Sequence, residues 1–549
     1  MDLLSTTVPT VFQAFAETSR RRPDGEFLYQ PASATRQYAN GAVSFTYAQA
    51  MSEVESIASV YRAAGLGPGI RVATLLENRP EAHFHWFALN SLGVSVVPIN
   101  PDYRASEIQH ILEHSESRLV ISIPERVEEL RAVTTKLASA VPVVSSAAVR
   151  RDGVPLKFAS ADVPLEGATE CAVLYTSGTT GRPKGCLLSN DYFIRSGLRY
   201  LRRAGPISLQ RDRERLLTPL PMFHMNAMAS TTLSMILTGG CVILLDRFHP
   251  GSWWEDVVES RATGIHYLGV MPAILLAKPV SEAETKHMVR YGFGANVEAS
   301  HHTAFEERFS FPLIEGWAMT ETGSGASMCA DVEPRHIGTH CFGRAPADID
   351  VRLVDGKMRD VARGEVGEMI VRCAGPDPRL GFFSGYLKDP LATEAGWEGG
   401  WWHTGDLVRQ GPDDSLHYVD RKKNIIRRSG ENISAFEVEE ILRMNDTVAQ
   451  VAVTAVADEV RGDEVLACIV PAAGAATDRD AATRLVNWMI ERAAYFKAPG
   501  WVAYVEVLPT TATQKLDRAG LKSFGVELLA SGACIDTRSL KRRQNHQRT

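Results

Sequence analysis

A chain of 549 residues is too long for one hydrophobic core, so two or more domains are expected. With 45% hydrophobic and 23% charged residues, its composition is that of an ordinary globular protein. Lys and Arg number 59 against 65 Asp and Glu, and the net charge of −6 gives no electrostatic reason to expect DNA, RNA or an anionic membrane as partner. Any anionic ligand must then be held by local groups.

The opening run MDLLSTTVPTVFQAFAETSRRR places its arginines last, the reverse of a signal peptide. Residues 71–76 read as a short apolar strand. A helix follows in which Glu81, Phe84, Phe87 and Ala88 fall at helical spacing, and 94–99 is a second strand. Ser106 is expected to cap a helix running through His114, with a further strand at 119–122. Strand and helix in alternation predict an α/β protein with doubly wound parallel sheets, whose ligands sit at loops leaving the carboxyl ends of strands. No charge falls between Arg215 and Asp246, but Pro219, Pro221, His224, Asn226 and the Gly239-Gly240 pair interrupt that stretch, which is read as buried core rather than a membrane span. The eight cysteines are scattered without a CxxC pair, so reduced thiols in the cytosol are expected.

After residue 423 the pattern changes. Ser434-Ala-Phe-Glu437 is a capping box opening a helix. Strands are predicted at 448–456, 464–470 and 502–508, with a helix over 480–495, which together make a compact α+β unit. The expected organisation is a large domain over 1–422, a small mobile domain over 423–525 and a flexible tail over 526–549. The polar run Asp420-Arg-Lys-Lys-Asn424 lies between apolar strands, as a hinge would. The basic end of the tail reads as a solvated segment rather than a nucleic-acid arm.

The strongest local signal is YTSGTTGRPKG over 175–185, which follows an apolar strand at 171–175. Gly178, Gly181 and Gly185 let the backbone turn several N–H groups toward one anion, Ser177, Thr179 and Thr180 add hydroxyl donors, and Lys184 adds a point charge. The spacing is not that of a Walker A loop. This run resembles the phosphate-binding signature of the adenylate-forming superfamily, which includes acyl-CoA synthetases, peptide-synthetase adenylation domains and firefly luciferase. The other motifs of that family occur in the family's order from about residue 10 to 525.

The resemblance implies a role for each matching position. In the loop, Thr176, Ser177, Gly178, Thr179, Thr180, Gly181 and Lys184 would hold ATP or AMP. In EGWAMTETG over 315–323, Thr320 would contact the nucleotide phosphate, Glu321 would ligate Mg²⁺ and Trp317 would pack on adenine, although Ala318 stands where the family has glycine. A carboxylate attacking a polyanionic triphosphate needs a hard cation to offset the repulsion. Gly294 and Ala295, in Gly292-Phe-Gly-Ala-Asn296, would cover the other side of adenine, and Phe293 replaces a common glycine beside the acyl pocket. In WHTGDL over 402–407, Asp406 would accept the ribose hydroxyls, with Arg421 contacting ribose and phosphate. Lys423 falls at the family's hinge position, and Ser429, Gly430 and Glu431 at the turn on the coenzyme A side.

Pro509-Thr-Thr-Ala-Thr-Gln-Lys515 resembles the loop whose lysine bridges the carboxylate and the α-phosphate, so Lys515, Thr320 and Glu321 are the expected catalytic set; Gln514 replaces the usual glycine. Acyl-pocket candidates are His224, in Pro219-Leu-Pro-Met-Phe-His224, with Asn226, Met271, Phe293 and Ser324. This mostly apolar set favours an aryl, alicyclic or short to medium acyl acid, while an aromatic face leaves a carnitine-like cation open.

Taken with the resemblance, the expected activity is that of an ATP- and Mg²⁺-dependent carboxylate:CoA ligase, closest in look to small-acid and crotonobetaine/carnitine-type CoA ligases. A small β-barrel is implied beside the large sheets, and two half-reactions served by domain alternation. ATP, a carboxylic acid and CoA are the expected partners, with no nucleic acid and no membrane; a homodimer rests on family habit alone. Two alternatives stand beside this: an acyl-AMP-forming ligase with another acceptor, and a catalytically silent nucleotide-binding protein on the same fold.

Overall fold

The computed structural model describes residues 8–33, 38–39, 41–139, 141–159, 163–176, 183–428, 431–458, 462–493, 495–511 and 516–541. The chain divides into two units. The first comprises Met1–Gly178, Arg182–Val351 and Val371–Trp402; the second includes Arg352–Ile370 and His403–Thr549.

Two sheets build the first unit. One has eight strands in the order Met328–Cys329, Leu313–Trp317, Tyr291–Gly294, Gly264–His266, Arg215–Thr218, Cys241–Leu244, Glu26–Gln30 and Val43–Thr46. Its six inner strands are parallel and both edge strands antiparallel. The other has seven strands in the order Gly385–Tyr386, Lys184–Ser189, Glu170–Thr176, Ser95–Pro98, Arg71–Leu75, Leu119–Ser122 and Val143–Ser145. Strands such as Cys241–Leu244 and Leu119–Ser122 are buried along their whole length, because helices cover both faces of parallel sheets. The α/β reading of the sequence therefore holds. Helix Pro80–Asn90 carries the expected Phe84, Phe87 and Ala88, but it also buries His83, His85, Trp86, Leu89 and Asn90, so it is a core element rather than an amphipathic one.

One expected cap is displaced. The helix runs Ala105–Ser115 from an N-cap at Arg104, whose backbone N–H donates to the Glu107 carboxylate at 2.8 Å. That carboxylate reaching back from the third helical position starts the helix, and Ser106 lies inside its first turn. The charge-poor stretch after Arg215 resolves into strand Arg215–Thr218, a π-helical turn Asn226–Thr231, helix Thr232–Thr238 and strand Cys241–Leu244. Among the described residues no helix is long and apolar enough to cross a membrane.

A four-stranded sheet, ordered Ile349–Val354, Val366–Cys373, Trp402–Gln410 and Leu416–Arg421, stands where a small barrel was expected. The smaller unit's own sheet runs in the order Glu431–Ser434, Ile425–Arg428, Gly462–Pro471, Trp501–Tyr504 and Ile535–Asp536, with Val448–Asp458 also pairing to Gly462–Pro471. Its two faces follow the period of two. Val451, Val453, Val465, Ala467 and Ile469 pack with Val438 and Leu442 of helix Ala435–Arg443 and with Leu485 and Met489 of helix Arg479–Ile490. The alternate residues Ala452, Leu466 and Cys468 pack with Leu521 of helix Arg518–Ala530.

The flexible tail expected from residue 526 is corrected by this packing. Helix Arg518–Ala530 crosses that boundary with Phe524, Leu528 and Leu529 against the sheet, and Ile535–Asp536 is an edge strand. Lys541 is buried against Glu464, which also pairs with the buried Arg428 at 2.8 Å. Residues 542–549 lie outside the described residues.

Candidate active site

The phosphate-binding run begins on strand Glu170–Thr176, which pairs antiparallel with Lys184–Ser189 so that Thr176 stands opposite Lys184. Ser177, Gly178, Thr179, Thr180 and Gly181 lie outside the described residues. The Lys184 ammonium is 3.4 Å from Asp389 and 4.7 Å from the centroid of the Tyr386 ring. At the head of the loop the Tyr175 hydroxyl meets His114 Nδ1 at 2.9 Å.

Thr320 and Glu321 follow strand Leu313–Trp317 in a turn fastened at successive residues. Tyr192 donates its hydroxyl to the Thr320 carbonyl at 3.0 Å, and the Phe383 N–H donates to the Glu321 carbonyl at 3.0 Å. The Thr322 hydroxyl accepts the Met319 N–H at 3.0 Å, and Arg199 donates to the Ser324 carbonyl, also at 3.0 Å. Glu321 itself is 8% exposed, and its Oε1 accepts the Tyr386 hydroxyl at 2.8 Å. Gly323 sits at φ +49° against Tyr192, where a Cβ would fall 2.3 Å from the ring. These bonds define the turn's shape without a ligand, as preorganised stabilisation of developing charge requires.

The donor set fits one kind of metal. Among the described residues no group of three or more His, Cys, Asp or Glu side chains is arranged to hold an ion. Glu321 Oε2 accepts no hydrogen bond from a described residue. One carboxylate with a free oxygen suits Mg²⁺, which keeps its waters and is commonly bound by one or two carboxylates together with substrate phosphates. Glu321 would hold it.

Trp317 is buried, its ring 6.1 Å from that of Phe342 at an interplanar angle of 34°. Gly294 must be glycine, since a Cβ there would lie 2.4 Å from the Tyr267 carbonyl oxygen. The ring of Phe293 is held edge-on by Tyr200 at 5.4 Å and His266 at 5.5 Å. His266 is fully buried, with Nε2 on the Tyr200 hydroxyl at 3.1 Å and Nδ1 on the Thr231 hydroxyl at 2.8 Å. Burial drives its pKa down to about 3, so this wall carries no charge near neutral pH.

Thr231 closes the π-helical turn that starts at Asn226, and its hydroxyl donates to the Asn226 carbonyl at 3.2 Å. A π-turn is frequent at functional sites. His224 precedes this turn, half-buried, its ring 4.7 Å from that of Phe223. Met271 is 3% exposed within the apolar cluster of Tyr267, Leu275 and Val297, and Ser324 is buried beside Gly381.

The ribose candidates lie in the second unit. Asp406 is 1% exposed, stands opposite Arg421 in the antiparallel pair Trp402–Gln410 with Leu416–Arg421, and has Arg421 Nε at 2.6 Å. The Lys423 backbone sits in the 3₁₀ turn Lys422–Asn424. Glu431 opens strand Glu431–Ser434, whereas Ser429, Gly430, Gln514 and Lys515 lie outside the described residues, as do the side chains of Lys423 and Glu431. The ends of the Lys515 loop are drawn together by a bridge between Thr510 and Leu516 and by the Asp517 N–H donating to the Pro509 carbonyl at 2.9 Å.

Comparison with known proteins identifies the family. The model of the AMP-binding enzyme family matches residues 15–387, and that of the AMP-binding enzyme C-terminal domain matches 437–515. The chain belongs to the AMP-binding enzyme family. Its relatives include a feruloyl-CoA synthase from Amycolatopsis sp, 32% identical over 87% of this chain and 93% of the relative. Another is a crotonobetaine/carnitine–CoA ligase from Proteus mirabilis, 28% identical over the same shares. The fold is that of the o-succinylbenzoate CoA synthetase from Bacillus subtilis solved with its acyl-adenylate, at a TM-score of 0.79 and 22% identity, covering 94% of this chain and 98% of that one. The protein is thus an enzyme of the acyl-CoA ligase and synthetase class of AMP-binding enzymes.

Sequence reasoning did not single out Tyr192, Tyr386 and Arg199, which brace the candidate residues of the first unit, or Asp420 in the second. None belongs to a motif quoted for its own chemistry except Asp420, read only as part of a polar hinge. Its carboxylate accepts the Arg421 N–H at 2.6 Å, the Asn424 amide at 3.1 Å, the Ser434 hydroxyl at 2.7 Å and the Phe436 N–H at 3.0 Å.

Proposed function

We propose that the chain is an ATP- and Mg²⁺-dependent ligase that joins a neutral aryl, alicyclic or short to medium acyl carboxylate to coenzyme A in two steps, through the acyl-adenylate. The observation that carries this reading is the fastened Thr320–Glu321 turn, with one Glu321 oxygen held by Tyr386 and the other left for a cation. A carboxylate is a poor electrophile because its leaving group would be oxide. Attack of its oxygen on the α-phosphate of ATP expels pyrophosphate and gives a mixed anhydride, from which a thiol displaces AMP at the acyl carbon. No protein nucleophile is needed, so catalysis rests on positioning and charge stabilisation.

In this reading bound Mg²⁺ neutralises phosphate charge. Lys184 and the 177–181 loop hold the phosphates, Trp317, Gly294 and Ala295 the adenine, and Asp406 with Arg421 the ribose. Lys515 serves the first half-reaction and the Ser429–Gly430–Glu431 turn the second, exchanged by rotation about Lys423. Phe293, His266 and the Asn226–Thr231 turn bound the acyl group, and their lack of charge supports a neutral acid. The relative named as a feruloyl-CoA synthase supports an aryl member of that class. None of the eight cysteines is joined in a disulfide, which supports a reducing compartment such as the cytosol.

The test is AMP release across a panel of carboxylic acids with ATP and Mg²⁺, each with and without CoA. Sustained CoA-dependent release with neutral aryl or alicyclic acids is expected. Acid-dependent pyrophosphate–ATP exchange without CoA-dependent turnover would keep the adenylation half and replace the acceptor.

A further inference from the structure

Lys184 and Glu321 carry opposite charges beside the same side chain, yet they form no ion pair with each other. Tyr386 stands in contact with both. Its hydroxyl donates to Glu321 Oε1 at 2.8 Å, and its ring face lies 4.7 Å from the Lys184 ammonium. We propose that Tyr386 is a positioning residue that keeps these charges apart and in place, the ammonium for phosphate oxygens and the carboxylate for a divalent cation. The proposal rests on the ligase reading given above.

The tyrosine is itself held from several directions. It stands opposite Cys186 on strand Lys184–Ser189, so the backbone that carries Lys184 also carries its partner. Its N–H donates to the Thr393 hydroxyl at 2.9 Å, and the next residue, Leu387, donates to the Gly185 carbonyl at 2.8 Å. The preceding Gly385 has φ +136°, which side-chain-bearing residues rarely adopt, and this bend sets the direction of Tyr386. Phe383 packs on the ring at 4.9 Å, nearly perpendicular at 73°.

The physical consequence is a division of the carboxylate. Oε1 is committed to the phenol, which fixes the side-chain rotamer and leaves Oε2 as the oxygen for the cation. Groups that orient a ligating carboxylate commonly change metal affinity by about 10–100-fold when removed. Without the hydroxyl, Glu321 is free to swing toward Lys184. An ion pair formed there would have to break before a metal–nucleotide complex could bind.

The experiment compares Tyr386→Phe, which keeps the ring beneath Lys184, with Tyr386→Leu, which removes both contacts. Manganese binding in the presence of ATP, read by electron paramagnetic resonance, is expected to weaken about tenfold in Tyr386→Phe. The Mg²⁺ concentration for half-maximal acid-dependent pyrophosphate–ATP exchange should rise by the same factor, with the KM for the acid unchanged. Tyr386→Leu should in addition weaken ATP binding measured without metal. Unchanged manganese affinity in Tyr386→Phe would overturn the proposal. So would a parallel rise in the KM for acid and the Mg²⁺ requirement, the signature of a merely structural tyrosine. If the wild-type protein shows no exchange with any acid, the ligase reading falls, while the manganese–ATP titration still decides the role of Tyr386.

Discussion

Asp420 accepts the hydroxyl of Ser434 at 2.7 Å, across fourteen residues of sequence and in a position with 1% exposure. That same hydroxyl accepts the Glu437 N–H at 3.1 Å, so the helix cap is itself held by the carboxylate. With the Phe436 N–H on the same oxygen and the Arg421 N–H and Asn424 amide on the other, one buried charge organises the turn at Lys422–Asn424 and the start of helix Ala435–Arg443.

Replacing Asp420 by alanine leaves these donors buried without an acceptor, at a cost of about 2 kcal/mol or more for hydrogen bonds to a charged group. Amide exchange at Phe436 and Glu437 should accelerate, and the thermal unfolding midpoint should fall. Unchanged exchange at both amides would mean that the cap stands without the carboxylate.

Asp406 presents a contrasting carboxylate, paired with Arg421 at 2.6 Å and otherwise suited to accept ribose hydroxyls. Asp406→Ala should raise the KM for ATP at least about tenfold, the size expected for lost hydrogen bonds to a charged acceptor, and the KM for the acid much less. Steady-state kinetics with each substrate varied in turn makes the comparison. An unchanged ATP dependence would reject the ribose role.

Much of this architecture is legible in the sequence because buried parallel strands write themselves as apolar runs, and the motif residues carry their chemistry in short segments. Tyr386 could not be read that way. Its role arises from a two-residue strand, Gly385–Tyr386, laid against Lys184–Ser189 from far earlier in the chain. Asp420 looked like one more polar hinge residue, since nothing local announces a bond to Ser434. The tail misled for another reason: the basic end masked the apolar spacing of Leu521, Phe524, Leu528 and Leu529, which was enough to dock a helix. At Arg104 the competition between Ser106 and Glu107 was settled by which side chain could reach the free N–H.

His83, His85 and His266 are fully buried, and burial lowers each pKa from 6.5 to about 3. A lowered histidine pKa means that the unfolded chain binds the extra proton first. Stability from these three groups is therefore fully present above about pH 6.5 and is lost as pH falls toward 3, by up to about 1.4 kcal/mol per pH unit for each. Thermal unfolding between pH 7 and 4.5 should show a steep loss beginning near 6.5. Replacing His83, which meets the Thr232 hydroxyl at 3.1 Å, with glutamine should flatten that slope by about one proton. A slope unaltered by this change would place the acid sensitivity elsewhere.

The role proposed for Lys515 gives the sharpest test of a division between the two half-reactions. Its loop is pinned at both ends, by the Thr510–Leu516 bridge and the Asp517-to-Pro509 hydrogen bond, so truncating one side chain in it leaves the anchoring untouched. A single ammonium offered to charge developing between carboxylate and α-phosphate is of a kind whose loss costs about 10²–10³ in rate. Lys515→Ala should therefore depress acid-dependent pyrophosphate–ATP exchange by about that factor. Conversion of supplied acyl-AMP and CoA to the thioester should stay within a few-fold of wild type, because that step breaks the acyl–phosphate bond after the lysine's task is done. Equal loss of both half-reactions would show that the lysine serves both, and the exchange of groups about Lys423 would then have no basis.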